Sequence, residues 1–189
     1  MNSTERGFRR IFWGLLLVVI DFRLNGFDIL PDFIGFAIIA AGLSLLVPLN
    51  PRFQTAKIMA LILTVLSLVS LIELGDDGGA QGFMSGWFAF GLLVTALDIV
   101  MVWQLCGGII DLARERGFDD LATRASTRRG LYVGLHLTTY AVILLALDVS
   151  PGDVMPLIVG LLIFAIVVVC LLMGLMLRAA RELGGPDCY

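Results

Sequence analysis

Residues 154–177 read VMPLIVGLLIFAIVVVCLLMGLML, a run with no charged side chain. An α-helix rises about 1.5 Å per residue and the hydrocarbon core of a bilayer is about 30 Å thick, so about 20 apolar residues suffice to cross it. Five other stretches are predominantly apolar, approximately 8–25, 31–48, 55–74, 83–108 and 130–147. The chain is therefore predicted to be all-α: an integral membrane helical bundle of six transmembrane helices in a single domain, 1–189.

The composition agrees. Of 189 residues, 59% are hydrophobic and only 15% charged, against about a quarter charged in soluble chains. That is too little polar material to cover a water-facing surface. No basic run or RNA-type aromatic motif is present, so nucleic acid is excluded as a partner. Cys106, Cys170 and Cys188 form no CxxC pair and have no histidine cluster beside them, which leaves no zinc or redox motif. No cofactor is implied.

The breaks between spans have turn chemistry. Pro31 suits the first turn of the second helix, and Pro48-Leu49-Asn50-Pro51 ends that helix. Gly75-Asp76-Asp77-Gly78-Gly79 and Asp148-Val149-Ser150-Pro151-Gly152-Asp153 read as tight turns. The first span is the shortest, since only Ile11–Ile20 is cleanly apolar; a re-entrant segment is the alternative and would leave five spans. Arg6, Arg9 and Arg10 ahead of it resemble the start of a signal peptide, but no small-residue cleavage site follows.

Charge sets the orientation. With the N-terminus inside, twelve of the 13 basic residues face the cytoplasm and only Arg23 lies outside, as the positive-inside rule requires. Both termini are then cytoplasmic. The long connection 111–129, DLARERGFDDLATRASTRR, is predicted to be a cytoplasmic amphipathic loop, divided by Gly117 into two short helices at the membrane surface. It would rest on anionic lipid or receive a cytoplasmic partner.

Asp98 lies mid-span in LVTALDIVMVW, too deep to reach water by snorkelling. A carboxylate there is costly unless paired, protonated or wet, which makes it a candidate intramembrane functional residue. It shares a stripe with Trp87, Gly91, Thr95, Val102 and Leu105. His136, the only histidine, lies at a similar depth in the next span, with Tyr132, Thr139 and Tyr140 on its face. An Asp98–His136 pair is geometrically allowed. The plainer readings are an interhelical hydrogen bond for Asp98 and packing for His136.

Gly130, Gly134 and Thr138 form a small-residue stripe on the fifth span, suited to helix packing or a homo-oligomer contact. Asp21, Arg23, Asp28 and Asp32 form an outer-face polar cluster. Its carboxylates could gather a divalent cation, but capping of the second helix and charge balance around Arg23 are the plainer account, and no metal is assigned.

The run DILPDFIGF (28–36) resembles the ILPDFIGY-type hairpin of uncharacterised bacterial multi-pass membrane proteins, and CGGIIDLARERGFDDLATRA (106–125) resembles the charged connection after their central span. Phe36 stands where tyrosine is common in the motif. The resemblance implies a bacterial cytoplasmic (inner) membrane location and carries no activity.

Three functions are compatible with these features. One is a structural or accessory membrane protein working through helix contacts with the lipid bilayer and a membrane-protein partner. A second is a small transporter or proton-coupled carrier centred on Asp98. A membrane enzyme is the third, and the absence of HExxH, GxSxG or paired-histidine motifs argues against it.

Overall fold

The computed structural model describes residues 2–19, 23–24, 27–28, 32–73, 80–145 and 151–185. Among these the chain is all-helical apart from one two-residue ladder. The helices are α1 (Ser3–Val19), α2 (Asp32–Leu46), α3 (Pro51–Glu73), α4 (Ala80–Glu115), α5 (Asp119–Leu145) and α6 (Pro151–Glu182). Three stretches are long and apolar enough to cross a membrane: Asp32–Leu49, Ala89–Glu115 and Met155–Glu182.

Each helix packs on its neighbours in sequence, and α6 returns to pack on α1, so the six close into an up-and-down ring. The start of α1 and the end of α6 meet at one end of the bundle. There Arg116 donates to the Leu183 carbonyl across 2.6 Å, and a methyl group on Gly184 would run into Glu5. Asn50 and the α4–α5 connection lie at this same end, joined by the Asn50 amide donating to Asp111 at 3.3 Å.

The core is concentrated at the end where the termini meet. Phe8, Ile11, Leu43, Phe53, Leu105 and Leu175 are among its fully buried side chains. Toward the other end the helices part: nothing is buried in α4 from 89 to 100, in α5 from 136 to 145, or in α6 from 155 to 167. Those surfaces are mainly apolar, with Thr95, Asp98, His136, Thr138, Thr139 and Tyr140 as the exceptions.

The tightest contact is between α1 and α2. Gly7 and Gly14 lie two turns apart on one helix, Gly35 and Gly42 two turns apart on the other, and the helices are antiparallel. A Cβ on Gly14 would sit 2.8 Å from the Gly35 carbonyl oxygen, and one on Gly42 would sit 2.8 Å from that of Gly7. Without Cβ atoms the two backbones touch directly, the small-residue packing that membrane helices favour.

The first span differs from its expected 8–25. Its helix begins earlier, at Ser3, and Arg23–Leu24 (β1) pairs antiparallel with Phe27–Asp28 (β2), Leu24 opposite Phe27. Asn25-Gly26 stands between the two strands in sequence, a dipeptide favoured in two-residue hairpins. Hydropathy alone carries the expected span through Arg23 and Leu24, which the structure places in β1.

The stretch 111–129 is also different from the amphipathic loop expected of it. Helix α4 continues to Glu115 and α5 begins at Asp119, so the segment consists of the ends of two long helices. At 36 residues, α4 is about 54 Å long and must protrude beyond the hydrocarbon. Gly117 does divide the segment. Its φ is 77°, and the Gly117 and Phe118 amides donate to Arg114 and Ala113 at 3.2 and 2.7 Å, a Schellman stop. Leu112, Leu121, Ala122 and Ala125 are buried in the bundle, not laid on a membrane surface.

At the second break, the expected stop is also a start. The Asn50 side chain accepts the Arg52 amide at 2.9 Å, capping α3, with Pro51 at the first helical position. Arg52 then reaches across to Asp111 of α4 at 2.8 Å.

Candidate functional site

Asp98 points from α4 toward α5, where Tyr132 and His136 stand one helical turn apart on the same face. The Tyr132 hydroxyl donates a hydrogen bond to Asp98 Oδ2. His136 Nε2 lies 3.9 Å from that same oxygen. The tyrosine and imidazole rings lean together with centroids 4.6 Å apart. Below Asp98 on its stripe, Val102 and Leu105 are buried, which fixes the register of α4 against its neighbours.

The hydrogen-bond pattern constrains where protons sit. His136 Nδ1 is 3.0 Å from the Tyr132 carbonyl, a group that can only accept, so Nδ1 carries a hydrogen. In the neutral imidazole Nε2 is then a bare acceptor facing a carboxylate. Two acceptors in a poorly hydrated setting repel, and one proton placed on either removes the conflict. A proton bound there would leave an ion pair or a neutral acid beside a neutral imidazole, and the tyrosine hydroxyl can donate in both cases. The Asp98 and His136 side chains retain about a fifth of their exposure, 19% and 21%.

The pairing of Asp98 with His136 was open from sequence and is realised in the fold. Tyr132 shares the histidine's face, as its spacing four residues before His136 implies, and it is also the direct donor to Asp98, which spacing alone does not show. Thr139 turns away and donates to the Leu135 carbonyl at 2.9 Å. Gly91 opens on empty space, so it does not admit a neighbouring backbone, and Trp87 lies outside the described side chains.

Among the other candidates, Gly130 and Gly134 are not packing positions among the described residues. Nothing lies within 4 Å of a Cβ built on either, because α5 and α6 do not approach closely along that stripe. The Thr138 hydroxyl is satisfied by the Gly134 carbonyl at 2.8 Å. In the outer-face cluster, Asp21 and the side chains of Arg23 and Asp28 lie outside the described residues. The backbones of Arg23 and Asp28 pair in the ladder, and Asp32 occupies the first turn of α2. Among the described residues no group of three metal-ligating side chains comes together.

Charged pairs tie the helix ends together below this site. Arg129 lies over the Trp103 ring at 3.9 Å, joining α5 to α4. Asp120 binds Arg124 on its own helix at 3.0 Å and Arg178 of α6 at 2.7 Å. The hydrogen bond from Arg124, helped by the charges of Arg124 and Arg178, holds the Asp120 carboxyl below its ordinary range. A lowered folded-state pKa adds stability above the unfolded value and loses it as pH falls through the folded one. Asp120→Asn is thus expected to lower the unfolding temperature slightly at neutral pH, since exposed pairs contribute little. The difference should vanish in acid below the carboxylate range. A difference that persists there in thermal melts would assign the effect to something other than charge.

No protein-family model, curated protein or solved structure matches this chain.

Proposed function

We propose that this protein is a small proton-coupled carrier whose Asp98–Tyr132–His136 cluster binds and releases the coupling proton. It spans the membrane six times with both ends in the cytoplasm, in a bacterial cytoplasmic membrane. The meeting of α1 and α6 ends supports an even number of crossings, and the basic residues supply the direction. The observation that carries the reading is the pair of titratable groups sharing one oxygen, Asp98 Oδ2. A cross-link between α4 and α5 needs only the tyrosine. The histidine adds a second proton acceptor that a structural bond does not require.

Difference infrared spectroscopy of the purified protein across pH tests the site without knowledge of the substrate. A protonated-carboxyl band should rise and fall with pH, disappear in Asp98→Asn and move along the pH axis in His136→Asn. Proteoliposomes loaded with a pH-sensitive dye should show proton uptake that drops at least ~10-fold in Asp98→Asn, the effect of losing one essential general acid. A wild-type protein with no titrating band sinks the proposal.

A second reading, an accessory subunit or homo-oligomer, is favoured by the parted apolar halves of α4, α5 and α6, where a partner helix could lie. Affinity purification from native membranes in mild detergent separates the two. A stoichiometric partner supports the accessory role; a chain recovered alone supports the carrier.

A further inference from the structure

The seam between α5 and α6 is the least closely packed part of the described bundle, and its two ends differ in chemistry. At the end nearer the termini is a cavity of about 230 Å³ lined by Thr123, Arg124, Thr127, Arg128, Leu131 and Leu171. Farther along is an apolar cavity of about 470 Å³, whose walls include Thr138, Val142, Gly160 and Phe164. Thr127, Leu131, Gly134, Thr138 and Val142 lie on one face of α5 by helical spacing. Gly134, between the cavities, meets nothing within 4 Å of its Cβ position. From Thr127 to Val142 the helix rises about 22 Å, a length suited to one acyl chain.

The charge at the basic end is not balanced. Asp120 is engaged by Arg124 and Arg178, and Glu182 is bound by Arg178 at 2.5 Å. Arg128 Nη1 is buried with no hydrogen-bond partner, a costly condition for a charged donor. Burial first, then the neighbouring Arg124 and Arg178, hold the Arg128 guanidinium below its usual pKa, so the site favours the arrival of an anion. Thr123 and Thr127 are not its partners. Their hydroxyls donate to the Asp119 and Thr123 carbonyls at 2.9 and 3.0 Å. What Arg128 lacks is an acceptor, and phosphate oxygens match a guanidinium fork.

We infer that the α5–α6 seam binds an anionic glycerophospholipid, its phosphate held by Arg124 and Arg128 and one acyl chain lying along the open stripe past Gly134. The small-residue stripe then makes room for a lipid tail in place of a helix. This inference stands apart from the Asp98 reading and requires only that these helices lie in a bilayer with Arg128 at its surface, as positively charged residues between membrane helices do for lipid headgroups.

Native mass spectrometry of the full chain, equilibrated with equal amounts of phosphatidylglycerol and phosphatidylcholine, tests it. The wild type should retain one phosphatidylglycerol with about 10-fold preference, the effect expected from charge-assisted hydrogen bonds to one headgroup. Arg124→Gln with Arg128→Gln should abolish the preference, while Arg181→Gln, on the exposed side of α6, should keep it. Gly134→Leu fills open space, so it should fold normally and yet reduce retention of both lipids. Equal retention of the two lipids by the wild type overturns the site, as does an unchanged preference in the double arginine variant. A Gly134→Leu protein that keeps its lipid overturns the placement of the tail. Thermal stabilisation by inorganic phosphate matching that by phosphatidylglycerol would identify a free-anion site and overturn the lipid.

Discussion

Gly14→Leu is expected to yield a chain that scarcely accumulates in the membrane, whereas Gly91→Leu should accumulate normally. Both substitutions add the same side chain to an apolar helix, so hydrophobicity cannot separate them. Their surroundings can. A Cβ on Gly14 meets Ile39 Cγ1 at 2.6 Å, the Gly35 carbonyl oxygen at 2.8 Å and the Ile39 amide nitrogen at 3.0 Å; on Gly91 it meets nothing within 4 Å. Two of the three obstacles at Gly14 are backbone and cannot rotate away. The helices must separate, and with them the part of the core that holds Ile11, Ile39 and Leu43, all fully buried. Overpacking of a close-packed interior costs about 1–3 kcal/mol and more when backbones must shift. Gly14→Ala should fall in that range and Gly14→Leu beyond it. Fluorescence of a C-terminal reporter and unfolding temperature in detergent would measure both. Similar losses at Gly14 and Gly91 would mean that the α1–α2 contact does not hold the fold together.

This glycine contact shows what the sequence concealed. Hydropathy located six helices, three of them with stretches long and apolar enough to cross a membrane. It did not locate helix ends: α4 continues through Arg114 and α5 begins before Arg124, since arginine and alanine are good helix formers in water. Nor did it say which small residues touch. The stripe at Gly130, Gly134 and Thr138 has the familiar four-residue spacing, yet it stands open. The residues in contact are Gly7, Gly14, Gly35 and Gly42, whose seven-residue spacing on two separate helices becomes informative only once the helices are known to be antiparallel. Asp98 and His136 were legible because ionisable groups are rare at that depth. That one carboxylate oxygen faces both His136 and Tyr132 depended on helix rotation, which spacing leaves free.

Asp98→Asn separates proton binding from structural support at this cluster. The amide keeps an oxygen that can accept from Tyr132, so α4 and α5 remain joined, but it cannot be protonated or carry charge. Asp98→Leu and Tyr132→Phe each leave one partner without its hydrogen bond and should cost about 1–2 kcal/mol, at the upper end for polar contacts between membrane helices. The double variant Asp98→Leu with Tyr132→Phe removes donor and acceptor together. It should therefore lose less than the sum of the singles, by roughly 1 kcal/mol of coupling. His136 is the discriminating position. At 3.9 Å its Nε2 is beyond hydrogen-bond length from Asp98, so His136→Asn should unfold at nearly the same detergent or denaturant concentration as wild type while altering the pH at which the Asp98 carboxyl titrates. An Asp98→Asn protein as unstable as Asp98→Leu would show that the charge itself supports the fold. A stable Asp98→Asn protein that no longer takes up protons, beside a stable His136→Asn protein that takes them up at a different pH, is the pattern a proton site requires.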